Sequence, residues 1–252
     1  MPGIGVGISP IFRSGGSFSP SSVPDLVAWY RADQGITLVG GRVQSWEDRS
    51  ATGDTVEALI PSARPNFVAS VPSLNGRPAL EFVSTGAADP LNMALVSHGT
   101  LLTNSHTTTF VVCQLSSDVG MSAPVLTSDS TSPTPRVRCL FDAGLPGLRY
   151  EIATGPSLPD GPVDLDPHLV VGELGATGII RIDGIETANG PLFALQYDGM
   201  TVGAGPPAGL PTDPPTYSWN GYISEICIYN RGLDLTSETA PLEAHFMAKY
   251  GI

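Results

Sequence analysis

The chain has 252 residues, of which 29 are Gly and 24 Pro, with only 14% charged and 41% apolar. That profile excludes collagen, which needs about one-third Gly on a strict triplet, and also an acidic disordered tail or a long coiled coil. The formal charge of −12, with Lys249 the only lysine and no basic stripe, argues against nucleic acid as a partner.

Residues 1–22 read as a Gly/Ser-rich arm carrying Ile4, Val6, Ile8, Ile11, Phe12 and Phe18. Such a segment is either a disordered terminus or an arm that orders against a partner, since a solvated linker has little use for large apolar side chains. Its opening residues lack the charged start and unbroken apolar stretch of a secretory signal, so none is expected. No apolar run approaches the ~18 residues of a membrane span, so no membrane insertion is expected either.

From Val23 onward, short apolar segments alternate with Gly, Pro, Asn and Asp, and one domain is predicted over 23–252. Predicted strands are Leu26–Tyr30, Arg42–Trp46, Ala79–Val83, Thr108–Leu115, Val125–Thr127, Arg136–Phe141, Leu148–Ile152, His168–Leu174, Gly178–Ile182, Met200–Val202 and Gly221–Tyr229. Asp183-Gly184 is a hairpin signal with Ile185 beginning the return strand. Pro206–Pro215, with five prolines, reads as a surface loop. Cys113, Cys139 and Cys227 each sit in an apolar run without CxxC spacing, which predicts buried thiols and neither disulfides nor zinc.

One helix is predicted at the end. Thr236 or Ser237 caps it, Glu238 and Glu243 favour its N-terminus, and Leu242 and Phe246 dock on the sheets. Pro241 limits its upstream extent and Gly251 closes it. The expected architecture is an all-β, antiparallel two-sheet sandwich with a C-terminal helix.

Several strings carry a family resemblance. Leu26-Val27-Ala28-Trp29-Tyr30-Arg31-Ala32-Asp33 and Val43-Gln44-Ser45-Trp46-Glu47-Asp48-Arg49-Ser50 resemble the opening of a laminin-G-like, concanavalin-A-type jelly roll. Leu74-Asn75-Gly76-Arg77-Pro78-Ala79-Leu80-Glu81-Phe82 resembles its next strand, and Trp219–Arg231 with the Lys249-Tyr250-Gly251-Ile252 tail resembles its close. Domains of this kind behind a Gly-rich arm resemble bacteriophage structural proteins. The resemblance implies a non-enzymatic virion surface component, as capsid decoration, head fibre or tail. It would be a homo-oligomer made in the host cytoplasm, bound to capsid or tail proteins in part through the arm. The fold hosts many functions, and the alternative is a carbohydrate-binding module recognising host-surface glycans.

Chemistry is sparse. Retaining glycosidases hold two carboxylates about 5–5.5 Å apart, and the Glu-x-Asp-x-x-Glu string of such enzymes on this fold is absent. Asp164/Asp166 and Glu47/Asp48 are the nearest candidates, and Asp48 reads equally as a turn residue bonding its own backbone. His98, His106, His168 and His245 have no zinc spacing. No cofactor is expected. Laminin-G-like domains often hold calcium, for which Asp142, Asp160, Asp164, Asp166, Asp198 and Asp213 are loop carboxylates without a defined ligand set. For glycans, Tyr197, Tyr217, Trp219 and Tyr222 flank the proline-rich loop as candidate stacking residues; for Trp219 and Tyr222 the other reading is core packing.

Overall fold

The apolar runs become strands because each has a face, or two, to hide. A computed structural model of the chain describes residues 18–83, 93–102, 106–116, 123–128, 137–142, 145–152, 157–158, 165–175, 177–190, 197–204 and 219–252. In chain order the strands are β1 (Leu26–Arg31), β2 (Ile36–Val39), β3 (Arg42–Trp46), β4 (Val56–Glu57), β5 (Asn66–Val71) and β6 (Arg77–Phe82). Then come β7 (Leu95–Leu102), β8 (Thr107–Leu115), β9 (Ala123–Ser128), β10 (Val137–Asp142), β11 (Leu145–Ile152) and β12 (Ser157–Leu158). The last are β13 (Pro167–Leu174), β14 (Gly178–Ile182), β15 (Ile185–Gly190), β16 (Tyr197–Val202) and β17 (Gly221–Tyr229), followed by helix α1 (Ala240–Tyr250).

Every described pairing is antiparallel. On one edge β17 bonds β8, which leads through β13 and β14 to β15. On its other edge β17 takes two partners end to end: β6 at Gly221–Ile223 and β1 at Glu225–Tyr229. From β6 the ladder passes through β5 to β3, then β4, β7, β16, β9, β10, β11 and β12. The network is continuous through all seventeen described strands and folds over as an all-β sandwich around the larger of two cores.

That core holds Tyr30, Trp46, Phe82, Leu95, Val111, Cys113, Val170, Val202, Trp219, Ile226 and Ile228, all nearly inaccessible. Alternate residues of the same strands point the other way: Phe110 and Val112 of β8, Leu169 and Val171 of β13, Cys227 and Tyr229 of β17. Helix α1 covers them with Leu242, Phe246 and Tyr250. β8, β13 and β17 are therefore dry on both faces, which is why they read as continuous apolar runs. Cys113 and Cys227 are buried in different cores, and burial pushes the Cys227 thiol well up.

All the predicted strands are present, with ends that differ by at most three residues; Val83 falls just outside β6, and Arg136 lies outside the described residues. The Asp183-Gly184 hairpin forms as read, with positive φ at both residues and Ile182 opposite Ile185. β2, β4, β5, β7 and β12 were not anticipated. β5 lies between Pro65 and Pro72, and β7 contains Ser97, His98, Gly99 and Thr100, so neither shows dense β-branched character.

The helix start requires a correction. Asp234, not Thr236 or Ser237, is the cap: its Oδ1 accepts from Thr236 N at 3.1 Å and Ser237 N at 2.8 Å. Glu238 reaches back to Asp234 N at 2.9 Å, a capping box one residue longer than usual because Leu235–Thr239 is a π turn. Glu243 lies in the first turn of α1, as expected, and has a further role. It is buried and takes a forked pair from Arg181 of β14 at 2.7 and 3.0 Å, tying helix to sheet. Gly251 ends α1 at φ +73°, its N–H donating to Met247 O at 2.8 Å.

Residues 18–22, expected in the arm, pack on the sandwich: Pro20 is buried, Tyr229 OH donates to Pro20 O at 3.0 Å, and Phe18 lies against the helix-side core. Ile4, Val6, Ile8, Ile11 and Phe12 lie outside the described residues.

Candidate functional site

On the helix-side face, the apolar cover gives way toward the start of β17. There the register sets four side chains in one row across four strands: Asn66 of β5 opposite Glu81 of β6, Glu81 opposite Tyr222 of β17, and Tyr222 opposite Gln114 of β8. Pro167 of β13 continues the row. All are half-buried.

Hydrogen bonds fix the row. Asn66 Nδ2 donates to Glu81 Oε2 at 3.0 Å, and Tyr222 OH donates to Glu81 Oε1 at 3.4 Å. Gln114 accepts from Ser73 Oγ at 2.6 Å and donates to Leu165 O at 2.8 Å. Burial, then the Glu81 carboxylate, raises the Tyr222 phenol above its ordinary value, so it stays protonated and a donor. The result is an aromatic side chain with an amide on one side and a carboxylate–amide pair on the other. A hydroxyl-rich ligand uses such a set, donors and acceptors beside an apolar face.

Of the aromatic residues singled out from sequence, Tyr222 belongs to this row among the described residues. Trp219 is fully buried in the inter-sheet core, its Nε1 donating to Tyr222 O at 3.4 Å, so its ring offers no face to a ligand. This corrects its reading as a stacking residue in favour of core packing. Tyr197 is in β16, opposite Leu102, and its side chain lies outside the described residues, as does Tyr217. Asn66, Glu81 and Gln114 were missed, because three separated strands are joined only by register.

The carboxylate candidates separate. Glu47 is exposed and pairs with Arg49 at 2.9 Å. Asp48 is buried and accepts from Trp29 N at 2.7 Å, Ser50 N at 2.8 Å, Ser50 Oγ at 2.6 Å and Asp54 N at 3.2 Å, the turn role read for it. Asp164 is outside the described residues and Asp166 is exposed. His168 Nδ1 lies 2.7 Å from Asp183 Oδ2, bracing the hairpin. Among the described residues no three His, Cys, Asp or Glu side chains converge on a metal position. Of the six carboxylates considered for calcium, only the Asp166 side chain is described; those of Asp142, Asp160, Asp164, Asp198 and Asp213 lie outside the described residues. No helix among the described residues is long and apolar enough to cross a membrane.

No protein-family model and no curated protein sequence matches this chain. Solved structures do match its fold. Trypanosoma rangeli sialidase in complex with sialic acid aligns with a TM-score of 0.57 and 16% identity, over 90% of this chain and 33% of that one. Domain 4 of a GH43 extracellular arabinanase from Geobacillus stearothermophilus, in complex with arabinotriose, aligns with a TM-score of 0.57 and 10% identity, covering 90% and 98%. The binding domain of botulinum neurotoxin DC in complex with SialylT gives 0.57 and 9%, covering 90% and 52%. The chain spans about a third of the sialidase chain. At these identities the likeness shows the fold, an all-β sandwich. The laminin-G-like and virion resemblances have no counterpart among these neighbours. The expectation that the chain is not an enzyme is also corrected: a sialidase and a domain of a GH43 arabinanase share the fold, so the missing Glu-x-Asp-x-x-Glu string excludes nothing.

Proposed function

We propose that this chain is a glycan-binding β-sandwich domain whose sugar site is the row Asn66, Glu81, Tyr222 and Gln114. One observation carries the reading: the register sets a single aromatic side chain between polar side chains, Glu81 and Gln114, on the two neighbouring strands. A pyranose presents an apolar C–H face and a rim of hydroxyls, and this row offers a ring for the first and amide and carboxylate groups for the second. The neighbours support the class of ligand, since two are domains in complex with arabinotriose and SialylT. The virion-surface reading rests on sequence resemblance; of its arm residues the structure describes Phe18, whose half-buried side chain packs against the helix-side core.

The test is a glycan array probed with the intact chain, followed by titration of any glycan retained. Tyr222→Ala and Gln114→Ala should each weaken binding roughly tenfold, about 1.4 kcal/mol, while circular dichroism shows the fold intact. A folded Tyr222→Ala variant that binds like the parent places the sugar elsewhere and defeats the proposal.

A further inference from the structure

A second concavity lies between β1 and the C-terminal half of α1. It is a cleft of about 500 Å³ lined by Trp29, Arg31, Arg77, His245 and Lys249, with Ser19 at its rim. Small-molecule sites run from ~300 to ~1,000 Å³, so this one holds more than a lone ion. Its composition is unusual for this chain. Three of the twelve basic residues meet here, among them the only lysine, in a protein of formal charge −12.

Beneath the cleft lies Glu225, 1% exposed, with both oxygens in use: Oε1 accepts from Trp29 Nε1 at 2.7 Å, and Oε2 from Lys249 Nζ at 2.5 Å and Tyr250 OH at 2.7 Å. Glu225 therefore faces inward as a counter-ion that fixes the indole and the ammonium. Arg31 lies over the Trp29 ring, 5.1 Å from its centroid, and spends its Nε and one terminal nitrogen on Asp33 at 3.0 and 2.8 Å. Its other terminal nitrogen is left over, as are two N–H groups of Lys249. Arg77 is exposed and has no hydrogen-bond or ion-pair partner among the described residues. Three cations against Glu225 and Asp33 leave one positive charge, with a whole guanidinium fork unspent.

We infer that this cleft binds a small organic monoanion, a carboxylate or a sulfate ester, gripped by Arg77 and Lys249 beside Trp29. A planar carboxylate suits the guanidinium fork, and one net positive charge matches a monoanion better than a phosphate dianion. The inference is independent of the sugar row, which faces a different part of the sheet and contains no cation.

Because Trp46 and Trp219 are fully buried and Trp29 is not, tryptophan emission reports on this cleft. The intact chain is titrated with glucuronate, glucose 6-sulfate and uncharged glucose. The two anions should change the emission saturably, glucose should not, and the two arms show which oxyanion is preferred. Arg77→Ala, a surface change that leaves the Glu225 network alone, should weaken anion binding at least tenfold. Added salt should weaken it further, and Tyr222→Ala should leave it unchanged. Equal responses to glucuronate, glucose 6-sulfate and glucose, or an Arg77→Ala variant that binds the anions like the parent, overturns the inference. Loss of anion binding in Tyr222→Ala alone moves the anion to the sugar row and also overturns it.

Discussion

Trp29 and Glu225 lie 196 positions apart in sequence, and a 2.7 Å bond from the indole Nε1 to the carboxylate adds a side-chain tie to the backbone pairing of the first strand with the last. The same carboxylate holds Lys249 and Tyr250, so three elements, β1, β17 and α1, meet on one side chain. Glu225→Ala leaves the Tyr250 hydroxyl and the Trp29 N–H without an acceptor and Lys249 without its counter-ion. The expected loss is about 3 kcal/mol, since removing one partner of a buried pair costs roughly 3–5 kcal/mol and Lys249 can swing toward solvent. Glu225→Gln, which keeps an acceptor, should lose less. Urea midpoints measure both, and equal stability of all three proteins would contradict the role assigned.

The Asp48 turn gives a second prediction. Its two oxygens serve the N–H groups of Trp29, Ser50 and Asp54. Asp48→Ala strands these donors in a part-buried turn, at a cost of about 2–4 kcal/mol. Asn should cost less, because the Ser50 and Thr52 hydroxyls, each 2.6 Å from Asp48 Oδ2, can turn round to accept from its amide. Thermal unfolding of the pair checks the order; an Ala variant as stable as the Asn variant would contradict it.

Two glycines with nearly the same φ separate strain from crowding. Gly203 (φ +83°) faces Phe82, and an added Cβ would meet that ring at 2.1 Å; Gly41 (φ +81°) has open space. Gly41→Ala should cost about 1 kcal/mol from backbone strain alone. Gly203→Ala adds overpacking of the core, for a total of roughly 3 kcal/mol or more. Equal denaturation midpoints for the two variants would show that Phe82 gives way freely.

His245 supplies a pH dependence. Burial lowers its pKa; Glu225 pulls it back in part, and Lys249 and Arg31 add to the lowering. As pH falls, the unfolded chain takes up the proton first, near the ordinary value of about 6.5. The contribution to stability is therefore complete above that value and is lost as pH falls from it toward the lower folded pKa. Melting temperatures at pH 7.5, 6.5 and 5.5 should drop more steeply in the parent than in His245→Asn. Parallel curves would show that the imidazole titrates normally.

What the sequence discloses follows from burial. β8, β13 and β17 are covered on both faces, so their apolar runs announce them, and Asp48 sits in turn chemistry readable on its own. Trp29 and Trp46 look alike in sequence, since both stand in the strings that resemble the jelly-roll opening and both read as core. Yet Trp46 is fully buried with its Nε1 bonded to Arg31 O at 2.9 Å, while Trp29, next to buried Tyr30, faces the other side of β1 and lines a cleft. A one-residue parity decides that difference, and Leu26-Val27-Ala28-Trp29-Tyr30 is apolar at every position, so the string does not show which parity is buried. The row around Tyr222 is still less legible, since Asn66, Glu81 and Gln114 become neighbours only through pairing between distant segments.

Among the described residues β1 has one partner, β17, and β17 also separates β6 from β8. The domain is thus closed by its last strand, as a zip is closed by its slider. While the chain is being made, β1, β6 and β8 must wait with unpaired edges until Gly221–Tyr229 has emerged, and the face above them waits for α1. A chain halted just short of Gly221 would hold nearly all of its strands and still expose an open, aggregation-prone channel through its centre.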